Sequence, residues 1–130
     1  MATSPQFIST PKVGVASVST ANTNRDGTGT IATVFTAGSS GSRIEEVVLK
    51  ATGDPADSVV TLFLHDGSNF WLFDEVDLGD PAAASTTVVG YRVSRTYENL
   101  VIASGWSLRA AITVALTSGV INVFALGGDF

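Results

Sequence analysis

Four short stretches carry side chains able to do chemistry. His65 is the single histidine and stands immediately before Asp66-Gly67. A turn wants polar residues there, so the ring reads as turn-shaping or solvated. With His65 read as part of a turn, no Ser/His/Asp order can be proposed, no Gly-x-Ser-x-Gly elbow is present, and the chain is not expected to be an enzyme. No Gly-x-x-x-x-Gly-Lys phosphate loop is present either. Asn22-Thr-Asn24-Arg-Asp26-Gly27 begins like a calcium loop, but the twelfth place is Thr33 where a bidentate Glu is needed. One carboxylate is too few, and the stretch reads as a turn knit by Asx hydrogen bonds. No metal and no cofactor are expected.

Asp74-Glu75-Val76-Asp77-Leu78-Gly79-Asp80 is the densest acidic run. Strand alternation puts Asp74 with Val76 on one face and Glu75 with Asp77 on the other. Paired carboxylates at about 5–10 Å can hydrolyse glycosides, but nothing in the sequence marks a cleft. The run reads as a solvated strand end, or as a salt contact to a basic partner. In Tyr91-Arg-Val-Ser-Arg95-Thr-Tyr97, the residues Tyr91, Val93, Arg95 and Tyr97 share one strand face. Tyr and Arg combine contact area with hydrogen bonds and are common at the centres of protein interfaces. An ordinary edge strand with Arg95 stacked between rings is the competing account.

Composition points to binding as well. Among 130 residues, 7 Lys+Arg stand against 12 Asp+Glu, which argues against a phosphate-backbone ligand and so against nucleic acid. Charged residues make up 15% of the chain, where an ordinary soluble domain has about 25%, and mean hydropathy is positive. No run reaches the ~18 apolar residues of a membrane helix, so no membrane partner is expected. Met1–Phe7 lacks a basic start and a long apolar stretch, so it does not read as a signal peptide. Cys is absent, which removes thiol chemistry without fixing the compartment. Surplus apolar surface then has one remaining destination, a contact with another protein.

The elements that would position these residues are strands. Residues 1–11, with Pro5 and Pro11 around Phe7 and Ile8, read as an extended arm. Residues 12–130 read as one domain of eight or nine short strands: Val13–Val18, Ile31–Phe35, Arg43–Ala51, Val59–Leu64, Phe70–Val76, Thr86–Thr96, Asn99–Ala103, Trp106–Leu116 and Val120–Leu126. Asp66-Gly67 predicts a tight hairpin, and Thr117-Ser-Gly119 a second one. The expected fold is an all-β, two-sheet antiparallel sandwich, jelly-roll-like, with an immunoglobulin-like sandwich as the alternative. Two strands are apolar on both faces. Phe70 and Leu72 oppose Trp71 and Phe73, and Val120, Phe124 and Leu126 oppose Ile121, Val123 and Ala125. Such strands must be covered on both sides, by loops, by the arm or by a second subunit. The expected contact residues are Pro5, Phe7, Ile8, Phe70, Trp71, Phe73, Tyr91, Arg95, Tyr97 and, in the tail, Phe130.

Several stretches carry a resemblance: Ser4-Pro-Gln-Phe7, Thr20-Ala-Asn-Thr-Asn-Arg-Asp-Gly-Thr-Gly-Thr-Ile31, Phe35-Thr-Ala-Gly38, Leu62-Phe-Leu-His-Asp-Gly-Ser-Asn69 and Val123-Phe-Ala-Leu-Gly-Gly-Asp-Phe130. Over nearly its full length the chain resembles the capsid cement, or decoration, proteins of tailed bacteriophages. The resemblance implies a structural virion protein on the outer capsid surface, made in the cytoplasm of a bacterial host. It would form dimers or trimers and bridge subunits of the major capsid protein. An eleven-residue arm at ~3.3 Å per residue reaches roughly 35 Å, enough to cross a seam between subunits. The rival expectation is a carbohydrate- or receptor-binding module of a tail or spike, with Trp71 and Trp106 as its exposed aromatics.

Overall fold

Strands form where Val, Ile, Leu and Phe alternate with residues that tolerate water, and Gly67 and Gly79, both with positive φ, turn the chain at the ends of the β-hairpin strands 58–65 and 70–79. The computed structural model describes residues 8–130. Their strands are β1 (Thr10–Val18), β2 (Ala32–Thr36), β3 (Ser42–Ala51), β4 (Ser58–His65), β5 (Phe70–Gly79), β6 (Arg92–Ile102), β7 (Ser107–Ile112) and β8 (Ile121–Asp129). They make two four-stranded antiparallel sheets, ordered β1-β8-β3-β6 and β2-β7-β4-β5. First and last strands lie side by side, and every connection except the β4–β5 hairpin passes from one sheet to the other. This is the paired Greek key of a jelly roll. The immunoglobulin-like alternative is excluded, because β1 and β2 lie in opposite sheets instead of sharing one.

The core follows from alternation. Ile44, Val47, Leu49 and Ala51 of β3 and Ile121, Val123 and Ala125 of β8 face Val60 and Leu62 of β4 and Leu108, Ala110 and Ile112 of β7, all buried. Small alanines opposite large aliphatics let the two layers interdigitate. In the β4–β5 hairpin, Asp66 Oδ1 accepts from the backbone N–H groups of Ser68 (2.9 Å) and Asn69 (2.7 Å), and Gly67 takes φ +104°.

Four expectations need correction. The strand expected over Thr86–Thr96 begins only at Arg92, and β6 runs on through the stretch expected as a separate strand. Ser85 Oγ accepts from the N–H groups of Thr87 and Val88, which folds 85–88 into a local turn in place of a strand. The gap expected between the two strands is absorbed in a bulge at 97–99, where β6 slips its register against β3. Thr117-Ser-Gly119 is no hairpin: β7 ends at Ile112, and β7 and β8 belong to different sheets. The crossing segment is tied instead to the β3–β4 loop, through Asp54 N–H to Ser118 O and Thr117 N–H to Asp54 O. Third, Thr10 and Pro11 pair with Asp129 and Gly128, so β1 takes in residues expected in the arm. Likewise β5 extends to Gly79 and buries Leu78 in the core, where a loop was expected.

A latch joins the strands at one end of the sandwich. Buried Ser42 Oγ accepts from Gly38 N–H and donates to Asp129 Oδ1, and Lys12 Nζ lies 3.4 Å from the same oxygen. Lys12 also donates to Thr36 O and sits 4.8 Å from the centre of the Phe35 ring. The Ser42 hydroxyl, with the Lys12 ammonium, holds the Asp129 carboxyl below the usual carboxylate range against partial desolvation. A depressed folded value means stability that is complete above the unfolded value and lost as pH falls through the folded one. Urea midpoints are therefore expected to fall below about pH 4, and Asp129→Asn to flatten that acid limb.

Close to this latch, β1 presses against β2. A Cβ on Gly14 would lie 2.2 Å from the Val34 carbonyl oxygen. Gly14→Ala must push two backbones apart and is expected to cost about 2 kcal/mol, read as a lower urea midpoint at unchanged slope.

Candidate functional site

Each sheet has an outer face, and the chain treats the two differently. Outward from the β2-β7-β4-β5 sheet point Thr61 and Phe63, both fully buried, and half-buried Phe70. Their cover is the β1–β2 connection. Its start joins the edge of β7 through Asn22 N–H to Ile112 O (2.8 Å). It then crosses to β5, where Gly27 lies so close that a Cβ would meet Phe70 at 2.3 Å, and where Arg25 pairs with Glu75. Asn22 holds the connection together. Its buried amide donates to Thr28 O (2.9 Å) and Thr30 O (3.0 Å), and its Oδ1 accepts Asn24 N–H (3.0 Å). The Asx-knit turn read from the sequence is thus a lid over an apolar face. Within it, Asp26 Oδ1 accepts from the Thr28 hydroxyl and N–H, which together lower its carboxyl pKa.

The second feature is an aromatic seam where edge strands β5 and β6 meet. A bulge opposite Leu62 and Phe63 inserts Phe73 into β5. Trp71 stacks on Trp106 with ring centres 5.6 Å apart and planes 16° apart, and stays 48% exposed. Phe73 lies 5.2 Å from Tyr97 and is 36% exposed, and Leu72 is exposed beside it. Tyr97 OH donates to Asp74 Oδ2 at 2.8 Å. Burial, then the Asp74 carboxylate, raises the Tyr97 phenol well above the usual tyrosine range. Arg95 Nη2 donates to Glu75 O (3.3 Å), and Asp74 Oδ1 accepts Glu75 N–H (2.8 Å). Both main-chain groups of Glu75 are therefore occupied. A shallow depression lined by Phe73, Thr96, Tyr97, Glu98, Asn99 and Leu100 runs along the seam.

Sequence reasoning placed most of the seam. Trp71 and Phe73 do project away from Phe70, and Tyr91, Val93, Arg95 and Tyr97 do share a face. That face is the inner one: Arg95 pairs with Val47 and Val93 with Leu49, and Tyr91, Val93 and Tyr97 pack against the core. Glu75 and Asp77 fall on the outer face, paired with Thr61 and Val59, as alternation predicts. His65 Nδ1 accepts Gly67 N–H (3.3 Å), and its ring lies 4.1 Å from that of Phe70. Phe70 is engaged within the chain, under Gly27 and 5.6 Å from the Arg109 guanidinium. Ile8 packs on Gly128, and Phe130 lies over Gly41 with its N–H on Gly41 O. Pro5 and Phe7 lie outside the described residues.

Val13 and Val15 are the residues that sequence reasoning missed. They point out from the β1-β8-β3-β6 sheet, 63% and 55% exposed, beside half-buried Phe124 and Leu126. The one available signal was the two-residue alternation Val-Gly-Val-Ala, which by itself suggests valines inside.

Among the described residues, no three His, Cys, Asp or Glu side chains gather where they could hold a metal ion. Compared with protein-family models, with curated proteins and with solved structures, the chain finds no match in any of the three.

The lid makes a direct prediction. Asn22→Ala removes three hydrogen bonds and is expected to cost about 2 kcal/mol. Hydrogen exchange should then speed up at Asn24 within the lid and at the outer-face strands beneath it, β4 and β5, more than in β3 and β8.

Proposed function

We propose that this chain is a structural virion protein, a cement protein that docks on the outer capsid and bridges subunits of the major capsid protein. The observation that carries the reading is the seam, in which Trp71 stays nearly half exposed although it is stacked and held by Trp106. A rigid, pre-ordered aromatic loses little conformational freedom on binding and brings a large apolar area, which is why such residues dominate interface energies. Phe73 and Tyr97 extend the anchor, and the acidic residues of β5 border it. Low overall charge and the likeness to phage cement proteins support the same reading. On a shell, many modest contacts of this kind add up through avidity.

The test is co-sedimentation with capsids assembled from the major capsid protein alone. Saturable binding and a raised capsid melting temperature are the expected results. Trp71→Ala should weaken binding by about 30-fold, which corresponds to a hot-spot loss of about 2 kcal/mol. Failure to bind any capsid lattice overturns the reading. A glycan-array signal lost in Trp71→Ala would put the carbohydrate-binding alternative in its place, since an exposed, braced indole also suits a sugar ring.

A further inference from the structure

We infer that the outer face of the β1-β8-β3-β6 sheet is the contact between two copies of this chain, related by a two-fold axis lying across the strands. The register fixes what this face presents. One row across the sheet is Val15, Phe124, Val48 and Ser94. The next row on one side is Val13, Leu126, Glu46 and Thr96, and on the other Ser17, Asn122, Lys50 and Arg92. The centre is thus apolar, and Val13 and Val15 are the two most exposed apolar residues of the strands. Among the described residues no loop crosses it as the β1–β2 connection crosses the opposite sheet.

The charges on this face match a second copy of it. Glu46 and Lys50 stand in the same strand, two residues to either side of Val48. Rotation by 180° about the row of Val48 carries each Glu46 onto the position of the other copy's Lys50, and the reverse. Thr96 meets Arg92 in the same way. A two-fold contact demands this arrangement, since residue i must suit j while j suits i. Lys50 Nζ donates to Gly90 O at 2.7 Å and keeps further N–H groups for a carboxylate. The same rotation leaves the strands of the two copies aligned, as face-to-face sheets prefer. Four strands about 4.8 Å apart and some seven residues long give roughly 450 Å² of plan area. Counted on both copies, about 900 Å² falls below the ~1,200 Å² of stable complexes, so the dimer should be weak and dissociate on dilution.

The inference goes beyond the capsid reading, concerns a different face, and is tested with no capsid present. Sedimentation analysis of the full chain over a wide concentration range should give a reversible monomer–dimer equilibrium. Val15→Glu should weaken dimerisation at least tenfold with unchanged melting and circular dichroism, because Val15 faces away from the core. Glu46→Lys should weaken it too, and the double exchange Glu46→Lys with Lys50→Glu should restore it. A monomer at every concentration overturns the inference, and is what a face reserved for another protein would give. A dimer indifferent to Val15→Glu, or a double exchange that fails to restore association, overturns it equally.

Discussion

A two-layer sandwich has four sheet faces, and only the inner two can cover one another. In this chain strands of both sheets are apolar on both sides, so each outer face needs a cover from somewhere. The long β1–β2 connection supplies one, and it stays in place because the Asn22 amide satisfies two carbonyls and one N–H of the same turn. Asn22 is itself buried, and a buried amide is tolerable only when its donors and acceptor are used. Burial of Phe63 on the outward side of β4 is worth about 2–3 kcal/mol on transfer grounds, and it exists only while that turn lies over it. The opposite sheet has no comparable connection across it among the described residues. The difference between the two faces therefore comes from where the long loop lies, and composition plays little part in it.

Much of this was legible in the residues. The hairpin at Asp66-Gly67, strands β3 and β4, the two-faced character of β5 and β8, and the Asx turn at Asn22 all follow from local chemistry. Each depends on neighbours within a few positions. What escaped depends on distant contacts. In β1 Val13 and Val15 lie outside and Lys12, Gly14, Ala16 and Val18 inside, because β1 runs so close to β2 that no side chain fits between Gly14 and Val34. Alternation gives the period of a strand but not its phase, and here a tertiary approach set the phase against hydrophobicity. The β7–β8 crossing escaped for a similar reason: a Thr-Ser-Gly turn looks the same whether its strands pair or part.

The two long seams of the sandwich limit how it can meet another molecule. At the β1/β2 seam Lys12 donates to Thr36 O, and the Val34 carbonyl lies against Gly14. At the β5/β6 seam Arg95 and Asp74 occupy the backbone of Glu75, and the bulge at Phe73 breaks the line of the edge. Protected edges suppress strand-to-strand addition, the commonest unwanted association of β proteins. Recognition by added strands depends on free main-chain groups, and at these seams Thr36 O of β2 and both main-chain groups of Glu75 in β5 are already taken up.

Association must then use side chains, and the side chains left outside are of two kinds. The seam offers a few large rings held in fixed positions, suited to a pocket on a foreign surface. The β1-β8-β3-β6 face offers an apolar stripe with Glu46 and Lys50 placed evenly about its middle, suited to its own image. A rigid anchor on one side and a self-matching sheet on another allow both contacts at once, because the seam lies at the sandwich edge and the stripe on its broad face. Two linked copies would then present two anchors to a repeating lattice. Each would raise the effective concentration of the other without any new contact.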